Sequence, residues 1–107
     1  PSPDADCGYD VADHRAVDPR MGTLADVDAL LARAHALGMR VVLDLVLNHT
    51  STAHPWFRES RADPAGEKGD WYLWRDRPNG WVSVFGGRAW ARDPGSGRWW
   101  YHMFLPE

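Results

Sequence analysis

The sequence predicts an α/β fold, because an amphipathic helix is followed at once by a strand suited to burial on both faces. Residues 39–47 form an apolar, β-branched run that only Arg40 and Asp44 interrupt. Parallel strands covered on both faces have this composition. No second unit of this kind follows residue 49. The remaining segment is too long for a structureless loop, so we expect a separate subdomain there.

The helix has clear start and stop signals. Thr23 is a good N-cap residue, and Asp26 stands three positions later, at capping-box spacing. Gly38 is placed to end the helix in the left-handed conformation. Between them, apolar residues recur at helical spacing and predict one stripe that faces a core, made of Leu24, Val27, Leu30, Leu31, Ala34 and Leu37.

Polar residues gather where the predicted strand ends. Asp44 must be paired, hydrogen-bonded or exposed at the strand end, since a lone buried carboxylate is costly. His49 follows five residues later, in a polar cluster. From the residues alone, three interpretations remain open: a structural pair, a metal site completed by His54, or a substrate site in which neutral His49 donates to a hydroxyl group.

The segment before the helix begins as an extended, proline-rich loop. Asp6 and Tyr9 flank Gly8, which permits a tight turn. By spacing alone, an ordinary turn with Tyr9 packed on its neighbours is the favoured interpretation.

Residues 50–107 are predicted to form a short helix over 54–61, with Pro55 in its first turn, and short strands over 71–74, 81–85 and 99–105. Most of the seven tryptophans are expected in the core, including Trp56, Trp71 and Trp99. Phe85 is either a core aromatic of this subdomain or part of a site.

Composition excludes several classes of function. The net charge of -3 and the scattered Lys and Arg argue against nucleic acid as a partner. No apolar run approaches the roughly 18 residues of a membrane span. The single cysteine, Cys7, excludes an internal disulfide and favours a cytoplasmic location.

Four blocks in order resemble one known family. Residues 44–49 (DLVLNH) resemble the first signature region of the α-amylase superfamily, and residues 8–13, 54–57 and 83–90 match its flanking blocks. Together they resemble the α-glucosidase and oligo-1,6-glucosidase branch. Cys7 and His14 depart from the residues commoner there.

The resemblance implies a partial (β/α)8 barrel. Residues 1–49 would belong to the barrel, with 39–47 as its third strand, and residues 50–107 would be a subdomain inserted after that strand, leaning over the barrel mouth. A whole barrel needs about 250 residues, so the chain of 107 residues is expected to be a piece of a longer enzyme.

The resemblance also implies a sugar pocket. Asp6 would bond sugar hydroxyls at its blind end, Tyr9 would stack on the terminal glucose, and His49 would contact the sugar being cleaved. Asp44 would organise the site, and Phe85 would line its entrance. Asn48 matches a calcium-binding residue of many α-amylases, but the α-glucosidase branch generally lacks that ion, so neither metal nor cofactor is expected.

The function implied is retaining hydrolysis of short α-linked glucosides. The family takes its nucleophile Asp from a Gly-x-Arg-x-Asp block and its acid from a later Glu. That block does not occur here, so both are expected downstream and the chain alone is expected to be inactive. The alternatives are trehalose synthase or another α-glucosyl-transferring or isomerising relative, and, from another class, a non-catalytic sugar-binding or transporter-associated relative.

Overall fold

The computed structural model describes residues 1–107 and contains two helices and one small sheet. The helices are α1 (Leu24–Ala36) and α2 (Pro55–Ala62), and the strands are β1 (Trp74–Arg75), β2 (Trp90–Arg92) and β3 (Trp99–Tyr101). The strand order is β1-β3-β2, and both pairings are antiparallel. All regular strands therefore lie in the second half of the chain. Neither helix is long and apolar enough to cross a membrane.

Helix α1 has the predicted caps. The Thr23 hydroxyl accepts from the Asp26 amide at 3.3 Å, and the Asp26 carboxylate accepts from the Thr23 amide at 2.7 Å, which completes the capping box. Gly38 has a φ of 73°. Its amide donates to His35 and the Met39 amide donates to Ala34, each at 2.9 Å. This pair of bonds is a Schellman motif, so the helix ends for the reason that the sequence indicated.

The predicted strand over 39–47 is not formed, and the prediction that it is buried is wrong for this structure. Residues 40–50 make no backbone–backbone hydrogen bond, and the Val42 and Leu43 side chains are 90% and 78% exposed. A parallel strand takes its hydrogen bonds and its cover from neighbouring strands and helices. The chain offers no strand beside this run, so its apolar composition is left without partners.

The apolar stripe of α1 is likewise uncovered. Only Ala34 is buried, while Leu24, Leu30 and Leu37 are more than half exposed, and the backbone of α1 does not approach that of another helix or strand. The stripe was correctly identified as one face of a helix, but the core that it was predicted to face is not formed by these residues.

An aromatic core forms instead between α2 and the sheet. Phe57 is buried, and its ring lies 5.5 Å from that of Trp74 and 5.7 Å from that of Trp100. Trp74 also donates from Nε1 to Ser60 Oγ at 2.9 Å, which satisfies its polar atom. The core prediction is wrong for Trp56 and Trp71, which are 42% and 49% exposed.

The strand predictions succeed only in part. β3 begins at Trp99 as expected but is shorter, and β1 begins only at Trp74. Residues 81–85 form no strand. The chain reverses at Gly86 and Gly87, both with positive φ, and only one isolated bridge, between Val82 and Arg88, joins the two sides of this turn. β2 follows this turn and was not predicted.

A buried carboxylate closes the β2–β3 hairpin and attaches it to α2. Asp93 Oδ2 accepts from the Ser96 amide at 2.9 Å and from the Ser96 hydroxyl at 2.7 Å, while Oδ1 forms an ion pair with Arg61 of α2. Burial acts to raise the pKa of Asp93, but the hydrogen bonds from Ser96 and the charge of Arg61 outweigh it and lower the pKa to about 2.

Hydrogen exchange of the 107-residue chain should separate the two halves. We expect the amides of residues 40–50, which have no backbone acceptor, to exchange at once. The amides of Asp93 and Tyr101 donate to Arg98 and Leu73 at 2.8 and 2.9 Å and should be protected. Protection of residues 40–47 equal to that of Tyr101 would contradict this description.

Replacing Asp93 should weaken the packing of the β2–β3 hairpin on α2. We expect Asp93→Asn to lower the free energy of unfolding by roughly 1 to 2 kcal/mol, the scale of a lost charged hydrogen bond, measured by denaturant and tryptophan fluorescence. Because the pKa of Asp93 is lowered to about 2, its contribution is present above the ordinary aspartate range and lost as pH falls from about 4 towards 2.

The matched control is Lys68→Gln, which removes an ion pair to the exposed Glu59 and should leave the unfolding midpoint unchanged. An Asp93→Asn variant as stable as the parent at pH 7 would contradict the assignment.

Candidate functional site

One cavity of about 480 Å³ lies where the unpaired segment meets the end of β3. Of the five predicted site residues, Asp6 and His49 line it, whereas Tyr9, Asp44 and Phe85 do not. The other lining residues include several aromatic and apolar groups that the sequence analysis did not assign to a site, among them Trp56, Trp71, Tyr72, Trp100, Met103 and Phe104.

The surroundings of His49 define its hydrogen-bonding role. The Asn48 amide nitrogen lies 2.9 Å from Nδ1 of the half-buried imidazole. Because an amide nitrogen only donates, Nδ1 is the acceptor, and the proton of the neutral ring is carried on Nε2. The ring of Phe104 packs against the imidazole, with 5.0 Å between centroids. His49 therefore offers one N–H donor beside an aromatic surface.

Asp6 is held by a residue that the sequence analysis did not single out. The buried Asp10 carboxylate accepts from the Ser2 hydroxyl at 2.6 Å and from the Ala5 and Asp6 amides at 3.1 Å each. Burial acts to raise the pKa of Asp10, but these three hydrogen bonds outweigh it and hold the pKa below its usual value. The sequence signal that could have identified Asp10 is an acidic residue two positions after Gly8, where a turn can bring the preceding residues back to its carboxylate.

The first loop is fastened to the segment that carries His49. His14 Nε2 donates to the Val46 carbonyl at 2.9 Å, and the Ser51 amide donates to the Val11 carbonyl, also at 2.9 Å. These two contacts bracket His49 and bring the loop bearing Asp6 to the same cavity. His14 is thus a structural contact between the two segments.

Tyr9 and Asp44 are exposed and lie outside the cavity. Asp44 makes no hydrogen bond or ion pair, so the interpretation of a structural pair with His49 is wrong for this structure. The hypothesis of a metal site with His54 gains no support, because no three metal-ligating side chains are grouped. His54 instead caps α2, accepting from the Trp56 amide at 3.1 Å.

Phe85 is 65% exposed, so its interpretation as a core aromatic is wrong. It reaches the site indirectly: its ring lies 5.9 Å from that of Phe104, which lines the cavity beside His49. The Val84 amide donates to the Met103 carbonyl at 2.9 Å and holds the two segments together. Phe104 itself was predicted only as part of a strand, because its role depends on this non-local pairing.

The site contains groups that bind hydroxyls, and its carboxyl residues are Asp6, Asp10 and Glu107; retaining glycoside hydrolysis requires a specific pair of such groups. Such a pair is a free nucleophilic carboxylate and an acid about 5–5.5 Å apart. The Asp10 carboxylate is committed to three donors of its own loop. What converges in the cavity is an acceptor, Asp6, a donor, His49, and an aromatic face, Phe104.

Comparison with known proteins gives consistent matches over the whole chain. The family model for the catalytic domain of α-amylase matches residues 1–107. A probable alpha-glucosidase of Rhizobium meliloti is 53% identical over 97% of this chain. A probable oligo-1,6-glucosidase 3 of Bacillus subtilis is 46% identical over 96% of it. The chain spans only 20% of the length of either relative.

A solved structure gives the same result. The isomaltulose synthase of Klebsiella sp. LX3 superimposes on 99% of this chain with a TM-score of 0.93 and 40% sequence identity. The match covers 20% of that enzyme. The matched segment in that enzyme is therefore part of a chain about five times as long.

The role of Asp10 can be measured by NMR titration. We expect the Ala5 and Asp6 amide protons to shift on acidification with one midpoint below the ordinary aspartate pKa, since both donate to Asp10. The order of this loop is present above the ordinary pKa and is lost as pH falls through the lowered one.

Asp10→Asn should abolish this titration, while Asp13→Asn, which affects only a bond from the Arg15 amide, should preserve it. A midpoint above the ordinary aspartate value, or a titration that survives in Asp10→Asn, would show that Asp10 does not hold the loop.

Proposed function

Because the chain belongs to the α-amylase catalytic-domain family, we propose that it forms one wall of the sugar pocket in a retaining enzyme for short α-linked glucosides. The observation that carries the proposal is the convergence of Asp6 and His49 on one cavity. The two residues come from segments more than 40 residues apart, and the family resemblance independently assigns both to a sugar pocket.

The chemistry of the cavity suits a glucose ring. A sugar hydroxyl both donates and accepts, so it pairs with a carboxylate such as Asp6 and with an N–H such as Nε2 of His49. The apolar C–H face of the ring needs an aromatic surface, and Phe104 offers one beside the imidazole. Charge on the Asp6 carboxylate makes its hydrogen bond the stronger of the two.

We extend the proposal to Tyr9, Asp44 and Phe85 as substrate-pocket residues of the complete enzyme. Asp44 stands on the run 39–47, in which residues 40–47 make no backbone–backbone hydrogen bond here. Strands on both sides would fix which side chains face inward, since alternate residues point to opposite faces. Phe85 is already joined to the cavity through Phe104.

The proposed reaction is a double displacement through a glucosyl-enzyme intermediate, without a redox or nucleotide cofactor. The nucleophile and the acid would come from the part of the enzyme outside residues 1–107, and this chain would supply binding and orientation. A second candidate within the family is transfer or isomerisation, which the likeness to an isomaltulose synthase favours. The two differ in whether water or a second sugar attacks the intermediate.

The test is an assay of the complete enzyme that contains residues 1–107 on maltose, isomaltose, sucrose and trehalose. We expect NMR of the first product to show α-glucose or an α-linked transfer product, as retention requires. β-Glucose as the initial product, or no turnover of any α-glucoside, would contradict the proposal.

Single substitutions test the two pocket residues. We expect Asp6→Ala and His49→Ala each to lower kcat/KM by roughly 10- to 100-fold, the scale of a hydrogen bond that strengthens in the transition state. His35→Ala, an exposed substitution on α1, is the matched control and should keep full activity. Unchanged kcat/KM in both pocket variants would place the sugar elsewhere.

A further inference from the structure

Tyr72 lines the cavity without an assigned role, and its hydroxyl touches Thr50, the residue next to His49. We propose that Tyr72 is a positioning residue for His49 and acts through a hydrogen bond to Thr50. The inference rests on the proposed function of the pocket, because it says how one of its groups is held.

The contact between the two hydroxyl groups is short. The Tyr72 hydroxyl lies 2.6 Å from Thr50 Oγ1, and Thr50 Oγ1 donates to the Ser51 carbonyl at 3.1 Å. Each hydroxyl can donate or accept, so the bond can form with either group as the donor. Burial raises the pKa of Tyr72, which keeps its phenol protonated.

Tyr72 is itself firmly placed. Its ring meets Phe57 of the aromatic core edge to face, with 5.1 Å between centroids. The next residue, Leu73, accepts from the Tyr101 amide at 2.9 Å and so joins β3. The Tyr72 phenol is thus held by the aromatic core that α2 forms with the sheet.

Thr50, by contrast, belongs to a segment with little else to hold it. Residues 40–50 make no backbone–backbone hydrogen bond. Their one hydrogen bond to residues 52–107 is the contact between Thr50 and Tyr72. His49 itself packs against the Phe104 ring. Ring packing is less directional than a hydrogen bond, so the bond at the adjacent Thr50 limits the position of His49 more closely.

A double-mutant cycle in the complete enzyme tests this coupling. We expect Tyr72→Phe, which keeps the ring against Phe57, to lower kcat/KM by roughly 5- to 10-fold, the scale of one neutral hydrogen bond. If Tyr72 acts through His49, the same substitution in a His49→Ala background should cause little further loss.

Two controls separate positioning from general loss of stability. Thr50→Ser keeps the hydroxyl and should retain more activity than Thr50→Val, whose loss should match that of Tyr72→Phe. Asp93→Asn weakens the subdomain at a distance from the cavity and should lower the unfolding midpoint without changing kcat/KM.

The outcomes are distinct. A loss in Tyr72→Phe that is absorbed in the His49→Ala background supports the proposal. A full, multiplicative loss in both backgrounds, or none in Tyr72→Phe while His49→Ala is impaired, overturns the positioning role and leaves the pocket intact. An unimpaired His49→Ala also overturns the positioning role, and an unimpaired Asp6→Ala beside it overturns the proposed function itself.

Discussion

The segment that carries His49 has no backbone–backbone hydrogen bonds of its own, and the rest of the site depends on how it is held. Ordering an extended segment costs conformational entropy, and hydrogen bonds to neighbouring strands normally compensate for that cost. Here a few side-chain contacts do the holding: His14 on the Val46 carbonyl, Tyr72 on Thr50, and Phe104 on the imidazole. They tie the segment to the first loop on one side and to the aromatic core on the other.

The two halves of the chain differ in what they bury. The second half has a core, because α2 and the sheet bring Phe57, Trp74 and Trp100 together. The buried Asp93 carboxylate closes the hairpin and forms an ion pair with Arg61. The first half has an amphipathic helix and an apolar run that face no partner. In relatives of which this chain spans 20%, such surfaces have many residues available to cover them. The exposed leucines and valines have the pattern of a barrel segment that takes its cover from neighbouring strands and helices.

The sequence was sufficient to predict features that depend on interactions between residues close together in the chain. Thr23, Asp26 and Gly38 determine the two ends of α1 through bonds that span a few residues, and these ends were predicted. The run 39–47 has the composition of a buried strand, but pairing and cover are non-local and composition cannot supply them. Tyr72 and Phe104 were missed for the same reason: each matters through a partner more than 20 residues away. The resemblance assigned Asp6 and His49 to one pocket, and both line the same cavity. Asp10 was missed because its role depends on the folded shape of the loop that brings Ser2, Ala5 and Asp6 to its carboxylate.

The most direct measurement is a crystal structure of the complete enzyme with an α-glucoside bound, in a variant that lacks its nucleophilic carboxylate. The account predicts that the terminal glucose lies in the cavity beside Phe104, with hydroxyl groups within hydrogen-bond distance of the Asp6 carboxylate and of His49 Nε2. A sugar bound elsewhere, with both groups turned away from it, would contradict the account.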